Sequence, residues 1–144
     1  MCLAVYIAAD QPLAEIAWDE RCPAFHVRRI QGSESAVRQH FTKPHIYYAG
    51  AHEGCGCGFS YGLLRLNGVE EDPATLAAGQ ESVRRLSAYL SEATAKLGAL
   101  ELYACQSEAV EAPPESRATI RSSGIGGEYF CFQVNEFFLV QPEA

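Results

Sequence analysis

The sequence predicts an α+β fold: one domain over residues 1–144, with a mixed, mostly antiparallel sheet of about six strands carrying one long and one short helix. Three observations predict it. Short stretches in which apolar residues alternate with other residues recur along the chain, and that is the period of a strand. One segment, Pro73 to Leu97, instead repeats its apolar residues at three-and-four spacing between a helix-starting and a helix-stopping signal. Finally, 144 residues, 48% of them hydrophobic and 20% charged, can bury roughly 70% of the unfolded surface without disulfide or metal staples.

The elements follow in order. Leu3, Val5 and Ile7 alternate with Cys2, Ala4, Tyr6 and Ala8 in a first strand, which Asp10-Gln11-Pro12 ends. Residues 13–23 show no period and are expected to form a loop that lays Ile16 and Trp18 on the core. A second strand runs from Ala24 to Ile30, where Phe25 and Val27 alternate with His26 and Arg28. Gly32 marks a turn and Ser33 a cap, so a short helix is expected with Val37, His40 and Phe41 on one face, stopped by Pro44. His45 to Gly50 is the third strand, and Leu63 to Gly68 a surface excursion.

The long helix has the clearest boundaries. Asp72 suits the N-cap, Pro73 the first helical position and Gly98 the left-handed residue after the end. Leu76, Val83, Leu86, Leu90, Ala93 and Leu97 form its core stripe, while Glu81 with Arg85 and Glu92 with Lys96 pair on the solvent side. Unbroken, such a helix would span about 37 Å, so a break is expected near Gly79. Leu100 to Cys105 is the next strand, 106–116 an acidic loop and Arg117 to Arg121 a strand with exposed faces. The aromatic stretch Tyr129 to Val140 is read as one strand with Phe130, Phe132, Val134, Phe138 and Val140 on the core side. That parity leaves Phe137 and Leu139 on the opposite face, open to a second copy, and makes a homodimer the candidate assembly.

Charge narrows the other partners. A formal net charge of −7, with no basic run longer than Arg28-Arg29 or Arg84-Arg85, repels a phosphate backbone, so nucleic acid is not expected as a partner. The apolar run from Leu3 to Ala9 has no basic lead and stops too early for a membrane span or signal peptide, so no membrane association is expected. A cytoplasmic location follows, with the six cysteines kept as free thiols.

The chemistry concentrates in His45 to Phe59, where Gly54, Gly56 and Gly58 interleave with Cys55 and Cys57, three residues after His52. The third strand, long helix and Leu100 strand form a β-α-β unit, expected to be parallel with the strands' carboxyl ends on one edge. Cys55 and Cys57 follow one such end and Cys105 closes the other; ligands in open α/β sheets collect at those ends. Thiolate and imidazole are the usual zinc ligands, and thiolates hold iron–sulfur clusters, so His52, Cys55, Cys57 and Cys105 form the expected metal set, with zinc or an iron–sulfur cluster as its occupant. Cys2 joins them if the first strand runs antiparallel beside the Leu100 strand, because its start then meets the other's end.

Two alternatives use the same residues. In a thiol redox protein Cys55 would attack and Cys57 resolve, although a Cys-x-Cys disulfide closes a strained ring and no helix start follows it. In a non-catalytic binding or oligomerising module the cysteines would be packing residues, as free cysteines usually are. The glycine spacing does not match the dinucleotide-binding fingerprint, and no phosphate cradle is read from it.

Overall fold

The computed structural model describes residues 2–143. Leu3–Ala9 (β1) is at the heart of it, with every residue from Ala4 to Ala9 buried. It is joined by Phe25–Arg29 (β2), His45–Ala51 (β3), Leu100–Gln106 (β4), Ser116–Arg121 (β5) and Glu136–Gln141 (β6) in one six-stranded sheet of order β2-β3-β1-β4-β6-β5. All pairings are antiparallel except β5 with β6, so the sheet is mixed and mostly antiparallel, and the fold is α+β.

β1 is antiparallel to both β3 and β4, which makes those two parallel to each other with β1 between them. The expected parallel relation therefore holds, but the two strands are not neighbours. The carboxyl ends of β3 and β4 flank the start of β1 on one sheet edge, with Val5 opposite Ala49 and Leu3 opposite Gln106.

Alternation along the strands divides the interior into two cores. On one face Val5, Ile7, Val27, Tyr47, Leu100 and Leu102 pack beneath the helix Pro73–Leu97 (α1), which contributes Val83, Leu86 and Leu90. On the other face Ala4, Tyr6, Ala8, Tyr48, Tyr103, Cys105 and Phe137 pack with Val37 and Val110. The helix has the predicted bounds: the Asp72 carboxylate accepts from Thr75 N–H at 3.1 Å, and Gly98 takes a positive φ of 82°. It does not break at Gly79. That glycine is buried where α1 crosses the chain at Tyr61, and a Cβ there would stand 2.9 Å from Tyr61 Cβ, so the residue permits close approach rather than a bend.

The short helix is a run of 3₁₀ turns over Gly32–His40, led by Gln31 instead of Ser33. Its anchor is Glu34. The carboxylate accepts from Arg28 Nη1 at 2.7 Å, Gln31 N–H at 2.8 Å and Tyr6 OH at 2.9 Å. Bonds to a short acceptor so early in the segment draw it against the sheet.

Three expectations are corrected elsewhere. The aromatic tail is strand only from Glu136, because Asn135 adopts φ 63° and interrupts the alternation, while Phe130 bridges to Tyr61. Phe137 is 5% exposed, packed on Tyr103 and Phe41 in the second core, and β6 lies between β4 and β5. Phe137, one of the two residues on which the homodimer rested, is thus covered, while Leu139 stays partly exposed. Ile16 and Trp18 remain 37% and 40% exposed, held on β2 by an Ile16 to Val27 bridge and by edge-on contact of Trp18 with His26. No helix among the described residues is long and apolar enough to cross a membrane.

Two outcomes test this packing. Leu90 is wholly buried on the core-facing side of α1, so Leu90→Ala should cost about 2–5 kcal/mol in denaturant unfolding by lost transfer energy plus the cavity left behind. Burial alone would raise the Glu34 carboxyl, but the hydrogen bonds from Arg28, Gln31 and Tyr6 outweigh it and hold the group below the usual carboxylate value. A folded pKa below the unfolded one contributes stability that is present above about pH 4.3 and is lost as pH falls through the folded value. The urea midpoint should accordingly drop more between about pH 5 and pH 3 in the wild type than in Glu34→Gln.

Candidate metal centre

At the carboxyl end of β3 the chain reverses at once. Gly54 N–H donates to Ala51 O at 2.9 Å with Gly54 at φ 92°, and Ala51 N–H donates to Cys55 O at 2.9 Å. A 3₁₀ turn over Gly56–Phe59 then lies across the start of β1. The contact is close to both the backbone and a side chain of β1: a Cβ on Gly56 would stand 2.9 Å from Leu3 O and 3.0 Å from Val5 Cγ2. A glycine between the two cysteines is what lets them reach the strand. Leu3 N–H, unpaired in the sheet at its first residue, donates to Cys57 Sγ at 3.1 Å.

This docking brings Cys2 to the loop. The Sγ atoms of Cys2, Cys55 and Cys57 all lie within 4.8 Å of one another, with Cys2 exposed and the other two partly buried. Sulfurs sharing one ion at a metal–sulfur distance near 2.3 Å stand about 3.8 Å apart, so small rotations about the side-chain torsions suffice to close on it. The cluster can hold a metal ion. Among the described residues no further cysteine, histidine or carboxylate lies equally close to all three.

The three thiols also influence one another electrostatically. Burial pushes the Cys55 thiol up to about 11; a backbone N–H from Cys57 works against the shift, and the neighbouring thiols of Cys57 and Cys2 add to it. Three sulfurs this close resist ionising together unless a cation compensates them. Comparison with protein families, curated proteins and solved structures finds no match for this chain.

Of the four residues singled out in the sequence, the structure brings Cys55 and Cys57 together and directs the other two elsewhere. Cys105 sits opposite Ala4 in the β1–β4 ladder and is wholly buried in the second core, where burial pushes its thiol up to about 12. A strand residue has only two faces to choose from, and the parity of β4 turns Cys105 into that core. His52 serves the scaffold. Its N–H and Nδ1 each approach Ser82 Oγ at 3.1 Å, while Ser82 Oγ donates to Ala24 O at 2.7 Å. The single hydroxyl proton is committed to Ala24, so Nδ1 carries the imidazole hydrogen and the ring is pinned between the loop and α1. A Cβ at Gly58 would stand 2.9 Å from the His52 ring, which explains the third glycine of the run.

The residue that completes the cluster is Cys2, and its signal was the conditional one: the antiparallel placement of β1 beside β4. Nearby, on the second-core side of β3, His26 lies over Gly50, and its buried Nδ1 has no hydrogen-bond partner among the described residues.

Gly56→Ala tests how the centre is built. The added methyl must displace backbone, so stability should fall by about 1–3 kcal/mol, and the thiols should separate, read as a loss of Cys55–Cys57–Cys2 crosslinking by a trivalent arsenical. Gly54→Ala, in open space but at positive φ, should cost less than Gly56→Ala if the close approach to β1 is what matters.

Proposed function

We propose that this chain is a metal-binding protein whose ion is held by the thiolates of Cys2, Cys55 and Cys57. The observation that carries the proposal is the meeting of three sulfurs, from two segments more than fifty positions apart, within 4.8 Å of one another at one sheet edge. A free-thiol state, in which all six cysteines stay unpaired, suits a reducing compartment such as the cytoplasm. An iron–sulfur cluster is less well served than a single ion, because such clusters are held by four cysteine thiolates and Cys105 faces the other core.

Thiol redox chemistry is the second reading, favoured only by the proximity of Cys55 and Cys57. It asks for a thiol of lowered pKa, and Cys55 is shifted the other way.

Elemental analysis of tag-free protein purified under reducing conditions tests the proposal. About one metal ion per chain is expected after reconstitution, with Cys2→Ser and Cys55→Ser each abolishing it. Cys105→Ala should retain the ion if it still folds by circular dichroism. Loss of metal in folded Cys105→Ala, with retention in Cys2→Ser, would instead favour the ligand set His52, Cys55, Cys57 and Cys105.

A further inference from the structure

The thiol cluster opens onto a shallow cavity of about 220 Å³ at the sheet edge. Beyond Cys2 and Cys57, its walls are Leu3, Phe132 and Val134, with Ser60 and Gln106 as the only other polar side chains among the described residues. Among the described residues no carboxylate and no imidazole lines it. The nearest imidazole of the loop, His52, is committed through Nδ1 to Ser82, and its Nε2 faces Glu53 at 3.6 Å. Two of the three sulfur donors, those of Cys2 and Cys57, therefore meet a mouth whose described lining is largely apolar and adds only a hydroxyl and an amide, while Cys55 joins them from outside that lining.

Ions differ in what they need from such a place. A divalent zinc ion bound structurally takes four protein ligands, and here its fourth position would fall to water in a mouth without a group to orient or deprotonate it. A monovalent ion with a filled d shell has a weaker demand for hard donors and a strong preference for thiolate, and it is satisfied by two or three sulfurs. Sulfurs from three residues, no imidazole or carboxylate in the described lining and a largely apolar approach are the surroundings such an ion selects.

We propose that the ion taken by Cys2, Cys55 and Cys57 is a monovalent, thiophilic one of the copper(I) class, bound by three sulfurs without a fourth protein ligand. The inference rests on the thiolate site described above and adds the identity of its ligand. Binding forms three metal–sulfur bonds and releases to solvent the protons that the thiols carried; the ion keeps its oxidation state, so no electron donor or acceptor is involved. Cys2, exposed at the rim, is the ligand by which an ion enters or leaves.

The test uses the full-length reduced apoprotein under anaerobic conditions, with copper(I) supplied as its complex with a coloured chelator and zinc(II) supplied with a zinc-responsive dye. One copper(I) per chain should be withdrawn from its chelator while zinc stays with the dye, and X-ray absorption at the copper edge should show three sulfurs and no nitrogen or oxygen. Cys2→Ser, Cys55→Ser and Cys57→Ser should each weaken copper(I) binding by about 100-fold or more, beyond the range that loss of an outer hydrogen-bond partner produces. Zinc held in preference to copper(I), or a copper site completed by nitrogen or oxygen, would overturn this inference and leave the thiolate metal site standing. Failure of both ions to bind at one per chain would overturn both. Cys22→Ser, at an exposed cysteine outside the cluster, controls for adventitious thiol binding: equal loss there would also count against the inference.

Discussion

Antiparallel hydrogen bonding of β1 to both β3 and β4 is the constraint on which the rest of the structure depends. Because both neighbours run against it, the chain leaving β3 and the chain leaving β4 emerge on the edge where β1 begins. The strand is buried on both faces, which explains why its seven residues mix small alanines with Tyr6 and Ile7 instead of alternating apolar with charged. A helix on one side and the 3₁₀ segment with the acidic loop on the other are the covers that such a strand requires. The cysteine cluster is a by-product of this order, since Cys2 stands immediately before the strand and Cys55 and Cys57 immediately after its partner.

A chain of close backbone approaches holds the cysteine loop on that edge. Gly56 lies on Leu3, Gly58 lies under the His52 ring and beside Ala51, and Gly79 of the helix lies on Tyr61 with Gly58 O 3.4 Å from where its Cβ would be. Strand, loop and helix meet with side chains removed at each contact. Ser82 then ties the layers by hydrogen bonds, donating to Ala24 and accepting from His52. Glycines spaced by two residues would suit a mobile or phosphate-binding loop, but here two of the three are packing positions and Gly54 alone serves a turn with positive φ. A loop tied at so many points presents its thiols in a defined arrangement, which lowers the entropic cost of gathering them around an ion.

The boundaries of α1 were legible because capping chemistry is local: Asp72, Pro73 and Gly98 act on the residues beside them. The strands were legible for a similar reason, as alternation reflects two faces wherever the partners lie. Gly79 and Phe137 misled because their roles depend on distant segments. Helix propensity penalises a glycine by about 1 kcal/mol, too little to break a 25-residue helix that gains a close contact with Tyr61 at that point. Parity placed Phe137 opposite the main core, and it is opposite; the chain simply builds a second core there from Phe41, Tyr103 and Val37.

The sequence by itself determined the element types, most of their limits and the presence of a glycine-flanked thiol pair at the end of a strand, since each depends on neighbours within a few residues. Only the tertiary structure decided which thiol joins that pair. Cys2 and Cys105 were both within reach on paper, and the choice lay in strand order and in which face each side chain takes, properties set by the whole sheet at once. With β1 seated between β3 and β4, the parity of β4 sends Cys105 into the second core, and the free start of β1 leaves Cys2 beside Cys55 and Cys57.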